Sequence, residues 1–587
     1  MATSDLPLYK TIAPVTTNLF QNVTLRGNVS VFNTESYLNV PYAHNPVRWT
    51  PPKRYSSAQH YISVFKPSAD TLELDCTKYG PRAPQDMSDS TLHWVLAPWF
   101  PRLSNMRYHE EEHALQLNIY KPAGVVKDLP VLVYVHGGGF VNGDNSSEFD
   151  GTMLVRRSVE LGKPIIVVSA NYRLNVLGYF LSPELEKEQG FVSPNFGLLD
   201  QRAALVWIQQ FIGIFGGDKT NVTFSGESAG AMSCMVLAQQ PEHNFDDNDA
   251  IFKNVISLSA PALKLKSQVE MISLYEYLLA NSRYTPEKGS ALDYLRTIPF
   301  DKIVKMKAKG IGPVAAEPVL FQKGYDQTYT DSKPASWVKG MMLGTAYHET
   351  SFFSIGLGGW RDKTAGELYT KWENAVKELP PSVATTIADA YGISKPTDDS
   401  ETSWSKIAGP LMMIASDTLF DVHNYDRAID CAGTSTKAYL FQLKQTDPFK
   451  SSVMNGWSCH SWTIPFLLCT TSVARKWLKD SVKNMSLTTQ DTIDEFFAQH
   501  ECLCEQDEIE LQAGADAMTE RVVKFMYGVE PWSEFNAEGH KSFVIDGVRS
   551  GEVDDDMRRR RGGRWFAWDR LDEEAKAGIL KIVGLIR

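Results

Sequence analysis

The sequence predicts an α/β protein: a large, mostly parallel sheet covered by helices on both faces, with an N-terminal hairpin and helical cap insertions. Three observations carry this. Between Leu129 and Gly230 near-continuous apolar runs alternate with stretches of helical spacing, and strands buried on both faces read as unbroken apolar runs. A G-x-S-x-G element stands between one such run and the helix after it. No internal repeat and no Pro- or Gly/Ser-rich linker divides the chain, so 1–587 is read as one domain, although ~150 residues per domain would give about four.

Taken in order, Asn22 to Val40 alternates like a hairpin, with Arg26-Gly27 near its turn. LPVLVYVHGGG is a buried strand running into a glycine-rich loop, and KPIIVVSANYRL a second strand. GLLDQRAALVWIQQFI has helical spacing; NVTFSGESAG is a strand entering a tight turn, AMSCMVLAQQ the following helix, and NVISLSAPAL another strand. Residues from about 270 to 340 are more helical and form the expected cap. KAYLFQL (437–443) is a late strand, SFVIDG (542–547) the expected last one, and Leu571 to Ile586 an amphipathic helix.

Composition excludes several classes. Hydrophobic residues make up 43% and charged residues 22% of the chain, which rules out disorder, collagen and coiled coil as descriptions of the whole. With 59 basic and 70 acidic residues the net charge is −11, against a dedicated nucleic-acid role. No apolar run approaches the ~20 residues of a spanning helix, and the N-terminus lacks the basic-then-apolar pattern of a signal peptide. Seven scattered cysteines do not read as a secreted disulfide framework, and Cys502-x-Cys504 without a second pair does not read as a metal site. The five N-x-S/T sequons are then chance. The run Arg558 to Arg561 comes just after Asp554 to Asp556 and reads as a charge-balanced turn rather than an address.

The chemistry centres on Gly226-Glu227-Ser228-Ala229-Gly230. A sharp strand-to-helix turn holds its serine exposed at the positive end of a helix, and small flanking residues are required because larger ones would clash. Upstream, His136-Gly137-Gly138-Gly139-Phe140 follows a strand; three glycines let backbone N–H groups approach a ligand, as an oxyanion-hole loop requires. A nucleotide-binding reading fails because neither the G-x-G-x-x-G spacing nor a P-loop lysine is present. Where a serine nucleophile is followed by an acid and then a histidine, His243 comes too soon and His348 leaves no room for the acid. His423 sits in a helical stretch, His500 in an acidic helical segment, and His540 near the end. His460 lies in a loop after the late strand, and Glu349 follows a short apolar segment before it. Position favours these two without deciding.

These residues resemble the type-B carboxylesterase/cholinesterase family of α/β-hydrolases. The resemblance rests on motifs in family order: YGPRAPQ (79–85), EHALQLNIY (112–120), HGGGF, SANYRL (169–174), GLLDQRAALVWIQ (197–209), FGGDKTNVTFSGESAG (215–230), HETSFF (348–353), SDTLF (416–420) and CHSWTIPF (459–466). It implies the α/β-hydrolase fold, with Ser228 as nucleophile, Glu349 as acid and His460 as base. Gly138, Gly139 and Ala229 are implied oxyanion donors, Ser259 a supporting group near the triad, Arg173 and Asp200 a structural buried salt bridge, and 84–112 a mobile loop over the active site. Ala83 and Ala114 stand at the family's first disulfide, Asp421 at another of its cysteines, and Thr463 where the family usually has a carboxylate. The lost disulfides and absent signal imply a cytoplasmic location. Phe140, Trp94 and Trp360 are the pocket candidates.

The expectation is a serine hydrolase of small to medium apolar carboxylic esters that needs no cofactor and no metal. Its partner is a small-molecule ester, with no nucleic acid and no membrane span, and with a homodimer left open. Alternatives on the same residues are an acyltransferase or lactone-forming enzyme, a lyase using only the oxyanion hole and His460, and a non-catalytic binding protein.

Overall fold

The computed structural model describes residues 11–86, 108–189, 194–239, 251–262, 265–306, 333–470, 473–482, 502–536 and 540–554. Trp94, residues 87–107 of the 84–112 loop, His243, His500, residues 307–332 of the cap, the four-arginine run and the 571–586 segment lie outside them.

One thirteen-stranded sheet spans the described chain. Its strands are β1 (Thr11–Phe20), β2 (Val23–Ser30), β3 (Thr34–Pro41), β4 (Leu72–Asp75), β5 (Gln116–Pro122), β6 (Leu129–Val135) and β7 (Ile166–Ala170). They continue with β8 (Gly217–Glu227), β9 (Asn254–Leu258), β10 (Gly340–Ala346), β11 (Lys437–Leu443), β12 (Lys541–Ile545) and β13 (Gly551–Asp554). The order is β1-β2-β3-β5-β7-β6-β8-β9-β10-β11-β12-β13, with β4 beside β2. Pairing is antiparallel from β1 to β7 along that order, parallel from β7 through β12, and antiparallel again between β12 and β13.

The apolar runs are explained by burial on both faces. Along β6, Val131, Val133 and Val135 enter one core cluster while Leu132 and Tyr134 enter the other. The same period of two recurs along β10, with Met341 and Leu343 on one side and Met342 on the other. Covering helices include α1 (Pro183–Gln189), α2 (Phe196–Phe211), α3 (Ala229–Leu237), α4 (Gln268–Asn281), α5 (Ala291–Thr297), α6 (Glu401–Ser416), α7 (Val422–Cys431), α8 (Thr463–Leu467) and α9 (Glu505–Met526). Within the described part of the expected cap, α4 and α5 are tied to α1 by Tyr275–Glu184 and Arg296–Glu188 hydrogen bonds of 2.6 and 2.7 Å.

Two local expectations are corrected. The hairpin turn falls at residues 31–33, not at Arg26-Gly27, which lies inside β2. Gly27 is required there by close approach: a Cβ would stand 2.4 Å from the Ser36 carbonyl on β3. The strand SFVIDG is not the last one, because the turn at 546–550 returns the chain as β13.

Parallel strands place their C-terminal ends on one edge. The loops after β6, β8, β9, β10 and β11 therefore bring the glycine loop, Ser228, Ser259, Glu349 and His460 to the same side of the sheet, the usual position of sites in α/β proteins.

Candidate active site

Ser228 joins β8 to α3 with φ 54° and ψ −119°, a conformation costly for a non-glycine residue. Its surroundings enforce it. A Cβ on Gly226 would meet the Gly230 carbonyl carbon at 2.4 Å, and one on Gly230 would meet the Val135 carbonyl oxygen at 2.3 Å. The Ser228 N–H donates to the Leu258 carbonyl at 2.9 Å, anchoring the turn to β9. Ser228 is partly exposed between the buried Glu227 and Ala229. Ala229 begins α3, so its N–H has no intrahelical acceptor.

The glycine loop passes directly over this turn. A Cβ on Gly137 would lie 2.4 Å from Glu227 Oε2 and 3.0 Å from Ser228 Cβ, which is why no side chain fits there. Gly138 (φ 101°) and Gly139 (φ 62°) are both left-handed. The Val141 and Asn142 N–H groups close the turn onto the Gly138 carbonyl at 3.1 Å each. His136 stacks on Tyr172 with ring centroids 4.4 Å apart, fixing the root of the loop.

Glu349 and His460 come together as expected. Glu349 is fully buried; its Oε1 accepts the Ala346 N–H at 2.6 Å and its Oε2 lies 2.6 Å from His460 Nδ1. The two loops are tied by backbone: His348 N–H donates to the Ser458 carbonyl at 2.8 Å, and His348 pairs with Cys459. The other ring nitrogen, His460 Nε2, lies 3.2 Å from Glu227 Oε1, to which the Ser461 hydroxyl donates at 2.7 Å. Burial pushes the Glu227 carboxyl up to about 7, against the lowering effects of His460 and Ser461. Burial alone would lower the His460 pKa, but the Glu227 and Glu349 carboxylates outweigh it and raise it.

The remaining expectations fall differently. Arg173 and Asp200 form the buried salt bridge, at 2.6 Å. Ser259 sits at φ 55° after β9, held by its N–H on the Gly344 carbonyl at 2.7 Å, but its buried hydroxyl makes no hydrogen bond to a described residue. Thr463 is the same in this respect. Ala83 and Ala114 are buried, and all seven cysteines are free. Asp421 is buried against Thr345 and Gln442. Phe140 turns its ring onto Tyr179, and Trp360 is buried in the core with its carbonyl on the Trp404 indole N–H. Among the described residues, the rings that meet His460 are Phe420 (5.1 Å), Phe353 (5.2 Å) and Phe352 (6.1 Å between centroids). They stand on two π-helical turns, Phe352–Leu357 and Asp417–Asp421, and such turns recur at functional sites.

Sequence reasoning missed Glu227, Ser461, Phe353 and Phe420. Each was adjacent to or inside a recognised motif; an acid in the second place of G-x-S-x-G was the available signal. Among the described residues no group of three or more His, Cys, Asp or Glu could hold a metal ion, and no helix is long and apolar enough to cross a membrane.

Residues 16–544 match the model of the carboxylesterase family. The chain belongs to that family. Relatives include the fumonisin B1 esterase of Sphingopyxis macrogoltabida, 34% identical over 61% of this chain and 63% of the relative. Lipase 2 of Diutina rugosa is 35% identical over 38% of this chain and 40% of the relative. The chain spans about half the length of the curated relatives it matches. Among solved structures, a thermophilic PNB esterase aligns with a TM-score of 0.65 at 20% identity, covering 94% of this chain and 99% of that one. A Geobacillus stearothermophilus carboxylesterase aligns over the same shares with a TM-score of 0.64. The fold is therefore the α/β-hydrolase fold of carboxylesterases, as the motif order implied.

Proposed function

We propose that this carboxylesterase-family protein is a serine hydrolase that cleaves small to medium apolar carboxylic esters through an acyl-enzyme on Ser228. The observation that carries the reading is the 2.6 Å pairing of His460 Nδ1 with buried Glu349, beside the strained turn that bears Ser228. Family membership and relatives named esterases and lipases support the same class of reaction.

In this reading Glu349 fixes the His460 tautomer, leaving Nε2 to take the Ser228 proton. The Ser228 oxygen attacks the ester carbonyl. The Gly138, Gly139 and Ala229 N–H groups hold the developing oxyanion, each donor contributing about 3 kcal/mol in the transition state. His460 returns the proton to the leaving alcohol, and water then releases the acyl group by the same steps in reverse order. Two carboxylates stabilise the imidazolium that forms in between. The single domain over 1–587, the cap and the loop over the active site belong to this reading, as does an intracellular location, supported by the free cysteines.

The test is hydrolysis of p-nitrophenyl acetate, butyrate and octanoate by the wild type and by Ser228→Ala. The reading expects turnover lost in the variant, with the chain-length profile sizing the acyl site. A folded wild type inactive on all three esters and unlabelled by a fluorophosphonate would remove the hydrolase reading.

A further inference from the structure

His460 is followed by a serine in an unexpected conformation. Ser461 has φ 67°, a region where glycine sits without strain and serine does not. It is buried and spends its hydroxyl on one atom, Glu227 Oε1, at 2.7 Å. That oxygen is also the one 3.2 Å from His460 Nε2. The second Glu227 oxygen is confined by the glycine loop, since a Cβ on Gly137 would stand 2.4 Å from it. The carboxylate is thus held from both ends, next to the nitrogen that must accept the Ser228 proton.

A carboxyl in that place has two states with opposite consequences. Ionised, it attracts the imidazolium formed during the reaction. Protonated, it can donate to Nε2 and occupy the lone pair that the serine needs. A hydroxyl donor stabilises the ionised state, because hydrogen bonds to charged acceptors are stronger than those to neutral ones. We propose that Ser461 is a positioning residue: its hydroxyl holds the Glu227 carboxylate ionised against His460 and so sets the lowest pH at which His460 works as a base. This rests on the hydrolase reading above.

Two further histidine rings stand on the loops around the site, His136 at the root of the glycine loop and His348 next to Glu349. The Tyr134 phenol on β6, the Tyr172 phenol after β7 and the Cys459 thiol are all pushed up by burial, with Glu227 contributing to each. Glu227 and His460 are in direct contact, so the steps of the acid limb belong to the pair rather than to one residue.

The experiment is the pH profile of kcat/KM on p-nitrophenyl butyrate for the wild type, Ser461→Ala, Ser461→Gly, Glu227→Gln and the double variant Glu227→Gln/Ser461→Ala. Both single Ser461 variants should move the acid limb upward by about one pH unit, the size of one hydrogen bond to a charged group. They should agree although only the glycine relieves backbone strain. In the Glu227→Gln background, Ser461→Ala should move the limb no further. Limbs that coincide with the wild type would overturn the proposal and leave Ser461 a structural residue. Thermal unfolding gives the same decision without catalysis. The Tm deficit of Ser461→Ala should be larger at pH 8, where Glu227 is ionised, than at pH 5; an equal deficit at both would overturn the proposal. Absence of ester turnover and fluorophosphonate labelling in the wild type would instead remove the hydrolase reading, with the Tm comparison still deciding the Ser461–Glu227 link.

Discussion

Two of the buried charged clusters among the described residues are built on opposite principles. Around Arg173 and Asp200 the fork of the guanidinium meets both carboxylate oxygens, at 2.7 and 2.6 Å. The Arg173 N–H adds a third bond to the same carboxylate at 3.0 Å, and a further guanidinium nitrogen donates to the Thr50 carbonyl at 2.8 Å. One cation faces one anion and the donors have acceptors. Around His460, one ring is shared by two carboxylates. Ser228 and Ser461 in the same cluster, and Ser259 on the next loop, are held at positive φ. Burial leaves Glu227 at about 7 instead of its ordinary value. The first cluster is balanced and inert. The second carries an excess of acid and strain, which is the arrangement expected where protons move.

The comparison can be broken at four points. The largest effect is expected at Ser228→Ala, which should lower kcat on p-nitrophenyl butyrate by about 10⁴-fold or more with little change in Tm; equal losses of activity and stability would contradict it. Next, Asp200→Ala should destabilise by about 3–5 kcal/mol, because it strands a buried guanidinium, as read from denaturant midpoints. Gly137→Ala should cost about 10²-fold in kcat/KM, since its Cβ must displace Glu227 or Ser228; an unchanged rate would show that the loop yields freely. The smallest effect carries the opposite sign. A carboxyl whose folded pKa is raised costs stability as pH rises from about 4.5 through about 7. Glu227→Gln should therefore be more stable than the wild type at pH 8.5 by about 2 kcal/mol, the gain vanishing near pH 5. A variant less stable at pH 8.5 would show that Glu227 is balanced like Asp200.

The two clusters were also unequally legible in the sequence. The parallel strands could be read because burial on both faces leaves unbroken apolar runs, and the Ser228 turn because its glycines answer to steric limits that any such turn obeys. Arg26-Gly27 was misread because glycine serves close approach as readily as a turn; only the neighbouring Ser36 carbonyl tells the two apart. Phe140 and Trp360 were chosen by nearness to motifs. Which aromatic faces His460 depends on the π-helical turns that carry Phe353 and Phe420, and their extra residue per turn leaves no periodic mark in a short segment. Glu227 was hidden by its place in G-x-S-x-G, where the spacing constrains the small residues and not the acid. Ser461 was hidden because a serine at positive φ looks like any other serine.

In the proposed mechanism Ser228 is not merely an exposed serine but one activated by the His460–Glu349 pair. The most direct measurement is intact-protein and peptide mass spectrometry after a fluorophosphonate pulse on the wild type, Ser228→Ala and His460→Ala. The expected result is a single adduct on the peptide bearing Ser228, none in Ser228→Ala, and labelling of His460→Ala slowed by about 10³-fold or more. An adduct on another residue, or a wild-type rate that survives the loss of His460, would contradict it.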